Sequence, residues 1–496
     1  MMSELRLTPS LGYLVALIAG CLTTLTASPF ELWWLGPVAI GLMYLGIHAL
    51  TPSQAAFKGW WYGVGMFGSG TSWVYVSIHD YGYTGVSLAV FLTALFVATL
   101  ALFFAVTLWL YRRLTGPYLA ALTFAGAWVL GEVLRTYAFT GFPWLLLGNA
   151  HVDSPLAPWA PVGGVYTLSL ITALTGTLGV EFLRRRWSAG AMIAALWLVP
   201  FALPEQWTSP RDTTTRVALL QGNLPQLIKW TSDGQRNAAN TYTRLTHAQG
   251  DDVDLIVWPE TALPMLEMDA LPVLERIQAT LPSDTALLTG IVQRDEHGRF
   301  FNSVIGVGDV DGVYRKEHLV PFGEYLPLES LLRGLIAFFD LPMSSFSSGE
   351  ADPAPIQAAG LAIGSAICYE IVYPDLVVER ARDADILLTV SNDTWFGESI
   401  GPLQHLQMAR LRAVENGRYV MRATSNGVTA IIDPQGRITA RAPQFETTSI
   451  QAEVTAMEGL TPFTRTGSWP VWLLSALLVL PGIIGKKEVI RDEKKE

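Results

Sequence analysis

Three side chains in this sequence have the types that covalent catalysis uses: a nucleophile, a base and a cation. Cys368 follows the apolar run Leu361-Ala362-Ile363-Gly364-Ser365-Ala366-Ile367 and precedes Tyr369, Glu370 and a helical pattern. The carboxyl end of a strand is where α/β sheets place their sites, and a helix N-terminus nearby favours a thiolate. Glu260 follows Leu255-Ile256-Val257-Trp258-Pro259. Pro259 stops a strand ladder, so the next side chain is free to leave the sheet. Desolvation there raises a carboxyl pKa towards the range of a general base. Lys316 lies in the segment from Tyr314 to Glu324; a lysine ammonium stabilises an oxyanion and lowers a thiol pKa. Taken singly, each has a plainer reading. A free cysteine is most often a small buried hydrophobe, and Glu260, Lys316 and Glu324 read as solvated charges.

Other motifs carry less. Gly63-Val64-Gly65-Met66-Phe67-Gly68 matches G-x-G-x-x-G, but no strand precedes it, and close helix packing explains it better than a dinucleotide. The histidines form no H-E-x-x-H, so neither a catalytic metal nor another cofactor is expected. There is no G-x-S-x-G elbow. Cys21 and Cys368 are the two cysteines and make no disulfide framework. Cys21 ends a box resembling a signal-peptide cleavage site, but apolar sequence resumes at once and the segment reads as a retained helix. Glu132 and Arg135, three apart, are expected to pair.

The elements that must position such groups fall into two kinds. Half of the 496 residues are apolar and only 15% are charged, against roughly 25% in a typical soluble domain. With 17 Trp and 21 Phe, the composition excludes a disordered or fibrous chain and suits a protein with much of its surface in lipid. The net charge of −10 argues against a nucleic-acid partner. Stretches free of Asp, Glu, Lys and Arg cover 11–30, 32–50, 59–79, 85–111, 114–131, 160–180 and 187–204, and an eighth covers 466–485; a membrane helix needs about 20 such residues. Arg6, Lys58, Arg112, Arg113, Arg184–Arg186, Lys486 and Lys487 lie in alternate loops. The positive-inside rule then makes both termini cytoplasmic and puts the 205–465 insert on the opposite side.

From about residue 210, β-branched runs (217–221, 254–258, 286–290, 302–308, 361–367, 385–390, 427–432) alternate with helical patterns (234–249, 271–280, 371–383, 403–417). That alternation predicts an α/β domain. The predicted organisation is a membrane domain at 1–208 with about seven helices, a catalytic domain at 209–464, a last membrane helix at 465–486 and a charged tail at 487–496.

The order Glu260, Lys316, Cys368 resembles the nitrilase, or carbon–nitrogen hydrolase, superfamily, and Cys368-Tyr369-Glu370 with Pro374-Asp375 looks like its nucleophile segment. The flanking words are more specific. Gln221-Gly222-Asn223-Leu224-Pro225-Gln226 with Lys229-Trp230, Trp258-Pro259-Glu260-Thr261-Ala262, His318 through Glu324, and Ser391-Asn392-Asp393-Thr394-Trp395-Phe396-Gly397 are similar to the apolipoprotein N-acyltransferase family. The resemblance spans essentially the whole chain. It implies a polytopic α-helical membrane protein with an inserted α/β nitrilase-like domain, an α-β-β-α sandwich. It also implies a bacterial inner-membrane enzyme, multi-pass, with a periplasmic catalytic domain.

By the same resemblance, an acyl chain passes from a phospholipid, typically phosphatidylethanolamine, to the α-amino group of the diacylglyceryl cysteine that begins an apolipoprotein. Cys368 is then the nucleophile, Glu260 the general base and Lys316 the oxyanion stabiliser. Trp230, Glu324, Tyr369 and Glu370 match positions the family uses around its site, as do Asn302 and Arg333, and Phe142-Pro143-Trp144 resembles a lipid-contacting stretch. Residues 331–343 are a candidate apolar lid or an ordinary core helix, which periodicity does not separate. Two rival functions stay open at the level of sequence: a membrane-bound amidase that gives its thioester to water, and a polytopic transport or scaffold protein whose outer domain only binds.

Overall fold

The computed structural model describes residues 9–327 and 345–493; Arg333 and the lid candidate at 331–343 lie outside them. The chain divides into two compact units, one comprising Val76–Gly85 with Gln206–Arg465 and the other the remainder.

The first unit is helical, with α-helices at Pro9–Thr24, Leu35–Tyr44, Pro52–Gly70, Val86–Leu114, Ala120–Tyr137, Ala160–Leu183, Trp187–Leu198 and Trp469–Glu493. Among the described residues three helices, at 86–114, 157–183 and 469–487, are long and apolar enough to cross a membrane, and three apolar helices at 10–24, 35–49 and 187–202 are shorter. The first of the long ones leaves Phe91, Leu95, Leu102 and Trp109 exposed, as a helix facing lipid would. Helix contact is close where glycines permit it: a Cβ on Gly65 would lie 2.1 Å from the Leu17 carbonyl oxygen, and one on Gly63 2.6 Å from Ala101 Cα. The G-x-G word at 63–65 is thus a packing surface. The stretches at 11–30, 32–50 and 187–204 give only those shorter helices, and one further stretch departs from expectation. Residues 59–79 are not a single helix; the helix ends at Gly70, and Val76–Gly85 belongs to the other unit.

The second unit is built on thirteen strands among the described residues: β1 (Ser209–Gln221), β2 (Leu255–Val257), β3 (Ala286–Arg294), β4 (Phe300–Val307), β5 (Val310–Asp311), β6 (Tyr314–Arg315), β7 (Ile356–Ala358), β8 (Leu361–Ile367), β9 (Ile386–Ser391), β10 (Val420–Thr424), β11 (Ala430–Ile432), β12 (Ile438–Arg441) and β13 (Thr448–Glu458). They form a six-stranded sheet ordered β13-β1-β2-β3-β4-β6 and a seven-stranded sheet ordered β12-β11-β10-β9-β8-β7-β5. The centre of each is parallel (β1-β2-β3 and β8-β9-β10) and the flanks are antiparallel.

Strand alternation assigns the faces. Val217 and Leu219 of β1 pack with Leu255, Val257, Ile363, Ile367, Leu388 and Val390 in a core between the sheets. Ala218 and Leu220 face the other way, onto Tyr242 and Leu245 of the helix Ser232–His247 and Leu274 and Ile277 of the helix Glu267–Gln278. The first of these helices starts where the Thr231 side chain caps Gly234 N–H at 3.1 Å, and its apolar residues at 238, 242 and 245 share one face. On the second sheet, Gly364 lets the helix Pro374–Arg382 approach β8, since a Cβ there would sit 2.4 Å from the Arg380 carbonyl oxygen. The layers run helix, sheet, sheet, helix. The segment Val76–Gly85 joins this unit through Ser77, whose Oγ donates to the Trp395 carbonyl at 2.7 Å, and Tyr81, edge-on to Trp395 with ring centroids 5.9 Å apart.

Candidate active site

Each sequence-predicted reactive group leaves a strand end. Glu260 sits three residues beyond β2, clamped against β3: Gly290 N–H donates to Pro259 O at 3.2 Å and Ala262 N–H donates to Gly290 O at 3.1 Å. Only glycine fits opposite it, because a Cβ on Gly290 would lie 2.5 Å from Glu260 Cα. Lys316 prolongs β6 along β4, donating its backbone N–H to Asn302 O at 2.8 Å. Cys368 follows β8 directly, with φ +53°.

Around them lies a buried charge cluster. Asn302 Nδ2 donates to Glu260 Oε1 at 2.7 Å and to Glu324 Oε1 at 2.9 Å. Lys316 Nζ lies 2.9 and 2.8 Å from the two Glu324 oxygens and 4.0 Å from Glu260 Oε1. Asn392 N–H donates to Glu260 Oε2 at 2.6 Å, and Val320 N–H donates to Glu324 Oε2 at 2.8 Å. Asn302 and Glu324, matched in sequence only by family likeness, thus join the base to the cation.

The electrostatics set the resting protonation. Burial raises the Glu260 carboxyl pKa while Lys316 pulls it down. Burial opposes the charge on Lys316, but attraction to Glu324 and Glu260 outweighs it and holds the ammonium above its ordinary range. Burial, then repulsion from Glu260, push the Cys368 thiol up, against Lys316. The expected thiolate is therefore not the resting form. The residues after Cys368 make only a five-residue 3-10 turn, Cys368–Val372, before the helix at Pro374, and desolvation prevails over it. The arrangement is a neutral thiol within the field of a carboxylate whose affinity for protons is enhanced, which suits base-assisted attack.

Glu370 links the halves of the site. Its buried carboxylate accepts from Ile367 N–H at 2.6 Å, Tyr314 Oη at 2.8 Å, Glu317 N–H at 2.7 Å and His318 N–H at 2.9 Å. It therefore ties the lysine segment to the strand that ends in the cysteine. Glu370→Ala leaves three backbone donors and a phenol unpaired, and is expected to cost about 3 kcal/mol or more. Thermal unfolding of the variant measures the loss. Tyr369 is buried against Tyr373, 5.2 Å between ring centroids. Trp230 lies half-exposed in a lip, 226–230, where Leu227 and Ile228 are exposed as well. The lip is tied in through Asn392 Nδ2, which donates to Gln226 Oε1 at 3.1 Å.

Trp144 belongs to the helical unit, where it is buried with Trp73 5.0 Å and Phe142 6.0 Å away between centroids. Its loop is held by Arg135, whose Nη1 donates to the Phe142 and Trp144 carbonyls at 2.7 and 2.5 Å, and by Glu132, which accepts from Leu147 N–H at 3.0 Å.

Sequence reasoning gave no role to Lys229, Asn392, Asp393, His405 or Arg422, although three of them lie inside the family-like words. Lys229 is buried between exposed Ile228 and half-exposed Trp230. Burial brings its pKa down to about 8, with Glu260 pulling it up. As a cation it favours the Glu260 carboxylate. Lys229→Met should let Glu260 hold its proton to higher pH, so the acid limb of any rate that needs the Glu260 carboxylate moves up while Lys229→Arg leaves it in place. An unmoved limb in Lys229→Met would show that the two groups are uncoupled.

Residues 216–462 match the Carbon-nitrogen hydrolase family, and residues 19–178 match the Apolipoprotein N-acyltransferase N-terminal domain. The chain is 46% identical over 492 residues to the apolipoprotein N-acyltransferase of Pseudomonas paraeruginosa, covering 96% of both chains. It is 47% identical over 483 residues to that of Pseudomonas syringae pv. tomato, covering 94% of this chain and 95% of the relative. It is 40% identical over 481 residues to that of Vibrio vulnificus, covering 94% and 95% respectively.

Proposed function

Because this chain belongs to the apolipoprotein N-acyltransferase family, we propose that it moves an acyl chain from a phospholipid, phosphatidylethanolamine in the first instance, to the α-amino group of an apolipoprotein's diacylglyceryl cysteine. The observation that carries the mechanism is that Asn302 bonds both Glu260 and Glu324, and Lys316 bonds Glu324, in the electrostatic neighbourhood of Cys368. Glu260 takes the thiol proton as Cys368 Sγ attacks the ester carbonyl. Lys316 and a backbone N–H stabilise the oxyanion. The proton on Glu260 passes to the leaving lysophospholipid oxygen, and a thioester remains on Cys368. The acceptor amine then attacks, Glu260 takes its proton, and the thiol is restored as the amide forms. A thioester is more reactive than the ester it came from, which favours the amine and makes exclusion of water necessary.

The helical unit fits a membrane anchor close to both lipid substrates. In this reading 1–208 and 465–486 lie in the bacterial inner membrane, 209–464 is periplasmic, and both termini are cytoplasmic with the tail at 487–496. The exposed Leu227, Ile228 and Trp230 suit contact with acyl chains.

The test is intact-protein mass spectrometry after incubation with phosphatidylethanolamine, beside Cys368→Ser. The expected result is one acyl chain on Cys368, lost on adding a diacylglyceryl peptide with a free amino terminus. Equal loss without peptide would make water the acceptor, and the hydrolytic, amidase-like reading would lead. An active Cys368→Ser protein would remove the cysteine from the mechanism.

A further inference from the structure

A buried trio supports the nucleophile from behind, and the mechanism above does not use it. Cys368 has φ +53°, a left-handed conformation that costs a non-glycine residue about 1–3 kcal/mol and persists only where its surroundings impose it. His405, on the helix Gly401–Asn416, brings Nε2 to 3.1 Å from the Cys368 carbonyl oxygen. A carbonyl only accepts, so Nε2 carries a proton.

The other ring nitrogen, Nδ1, lies 3.1 Å from Arg422 Nη2, which only donates, and 3.2 Å from Asp393 Oδ1. Neutral imidazole, bare at Nδ1, satisfies the guanidinium; an imidazolium would meet it as a like charge. Arg422 Nη2 also donates to Asp393 Oδ2 at 2.6 Å, and Ser391 Oγ donates to Asp393 Oδ1 at 2.6 Å. All four side chains are buried. Burial and Arg422 lower the His405 pKa against the pull of Asp393, while Arg422 keeps Asp393 ionised despite burial, and Ser391 and Arg422 supply its donors in place of Nδ1.

We infer that His405 is a positioning residue: its neutral Nε2–H tautomer, selected by Arg422, donates to the Cys368 carbonyl and holds the nucleophile in the left-handed turn that keeps its thiol beside Glu260. The inference rests on Cys368 being the nucleophile.

The test uses the full chain with phosphatidylethanolamine and three variants. His405→Leu removes the donor, His405→Gln keeps an N–H at about the reach of Nε2, and His405→Asn falls short of the carbonyl. Acylation of Cys368 is followed by mass in single turnovers. The pH dependence of Cys368 alkylation is followed on its own peptide, which separates it from Cys21. His405→Leu is expected to slow acylation roughly tenfold to a hundredfold at saturating phospholipid, with KM unchanged. Its alkylation profile moves down in pH towards that of an ordinary thiol, as the thiol leaves its buried place beside Glu260. His405→Gln should restore both readouts and His405→Asn neither.

Wild-type acylation and alkylation in folded His405→Leu would overturn the inference. So would a His405→Gln protein as impaired as His405→Leu, since the ring would then only fill space. If His405→Leu does not fold, the contrast between Gln and Asn decides. An active Cys368→Ser would sink the nucleophile reading instead, and the alkylation profile would still report whether His405 governs the cysteine.

Discussion

Glu260→Gln is expected to slow acylation of Cys368 by about a thousandfold, within the usual range for loss of a general base, while making the same thiol easier to alkylate at neutral pH. The two effects have opposite signs because Glu260 does two things. Its negative charge is one of the forces that push the thiol pKa up, so removing that charge lowers it. In the proposed mechanism it also receives the proton during attack, and a carboxamide cannot. A glutamine also misfits: the carboxylate accepts from Asn302 Nδ2 and Asn392 N–H on separate oxygens, and an amide nitrogen would oppose one of those donors. A pH profile of iodoacetamide modification, set beside single-turnover acylation, measures both. Equal loss in the two assays would mean that Glu260 only supports structure.

Lys316→Met should have the next largest effect, in rate and in stability together. Loss of an oxyanion donor typically costs about a hundredfold to a thousandfold in rate. Here the deletion also leaves Glu324 and Glu260 as buried carboxylates without their cation, and breaking a buried pair costs about 3–5 kcal/mol. In the native protein the raised Lys316 pKa means that its stabilising contribution is complete below the pKa of an unfolded lysine, about 10.4, and is lost only as pH rises through the folded value. The variant reverses the dependence at the carboxylates. Without Lys316 the Glu260 pKa rises further, so the unfolding deficit should shrink as pH falls and Glu260 takes up its proton. Thermal unfolding at several pH values checks this; a deficit that did not change with pH would mean the lysine contributes packing alone.

The sequence was most readable where one physical signal acted alone. β8 coincides with the apolar run 361–367, and Pro259 marks the end of the strand that delivers Glu260. The edge strand β13 was invisible because Ser449, Gln451 and Glu453 leave it looking like a polar loop; it is placed by pairing antiparallel with β1. β10 was missed because Arg422 interrupts it, and a buried arginine is readable only with its partners Asp393 and His405, which are distant in sequence. Hydropathy ran through Thr71 and Ser72 as if residues 59–79 were one span. The places of Glu260 and Cys368 at strand ends, with Lys316 between them, could be read from the sequence. The state of the thiol could not, because it depends on a desolvation that no local pattern encodes.

The ten residues Val76–Gly85 bear on any attempt to work with the catalytic unit alone. A fragment cut at the chain's apparent boundary, from residue 206 to 465, would omit them. It would remove the Tyr81 ring from Trp395 and leave the Trp395 carbonyl without the Ser77 hydroxyl, two residues after Asp393 in the trio behind Cys368. A faithful soluble version would need that short loop returned as a graft, with its own linkers, before its kinetics could stand for the whole enzyme.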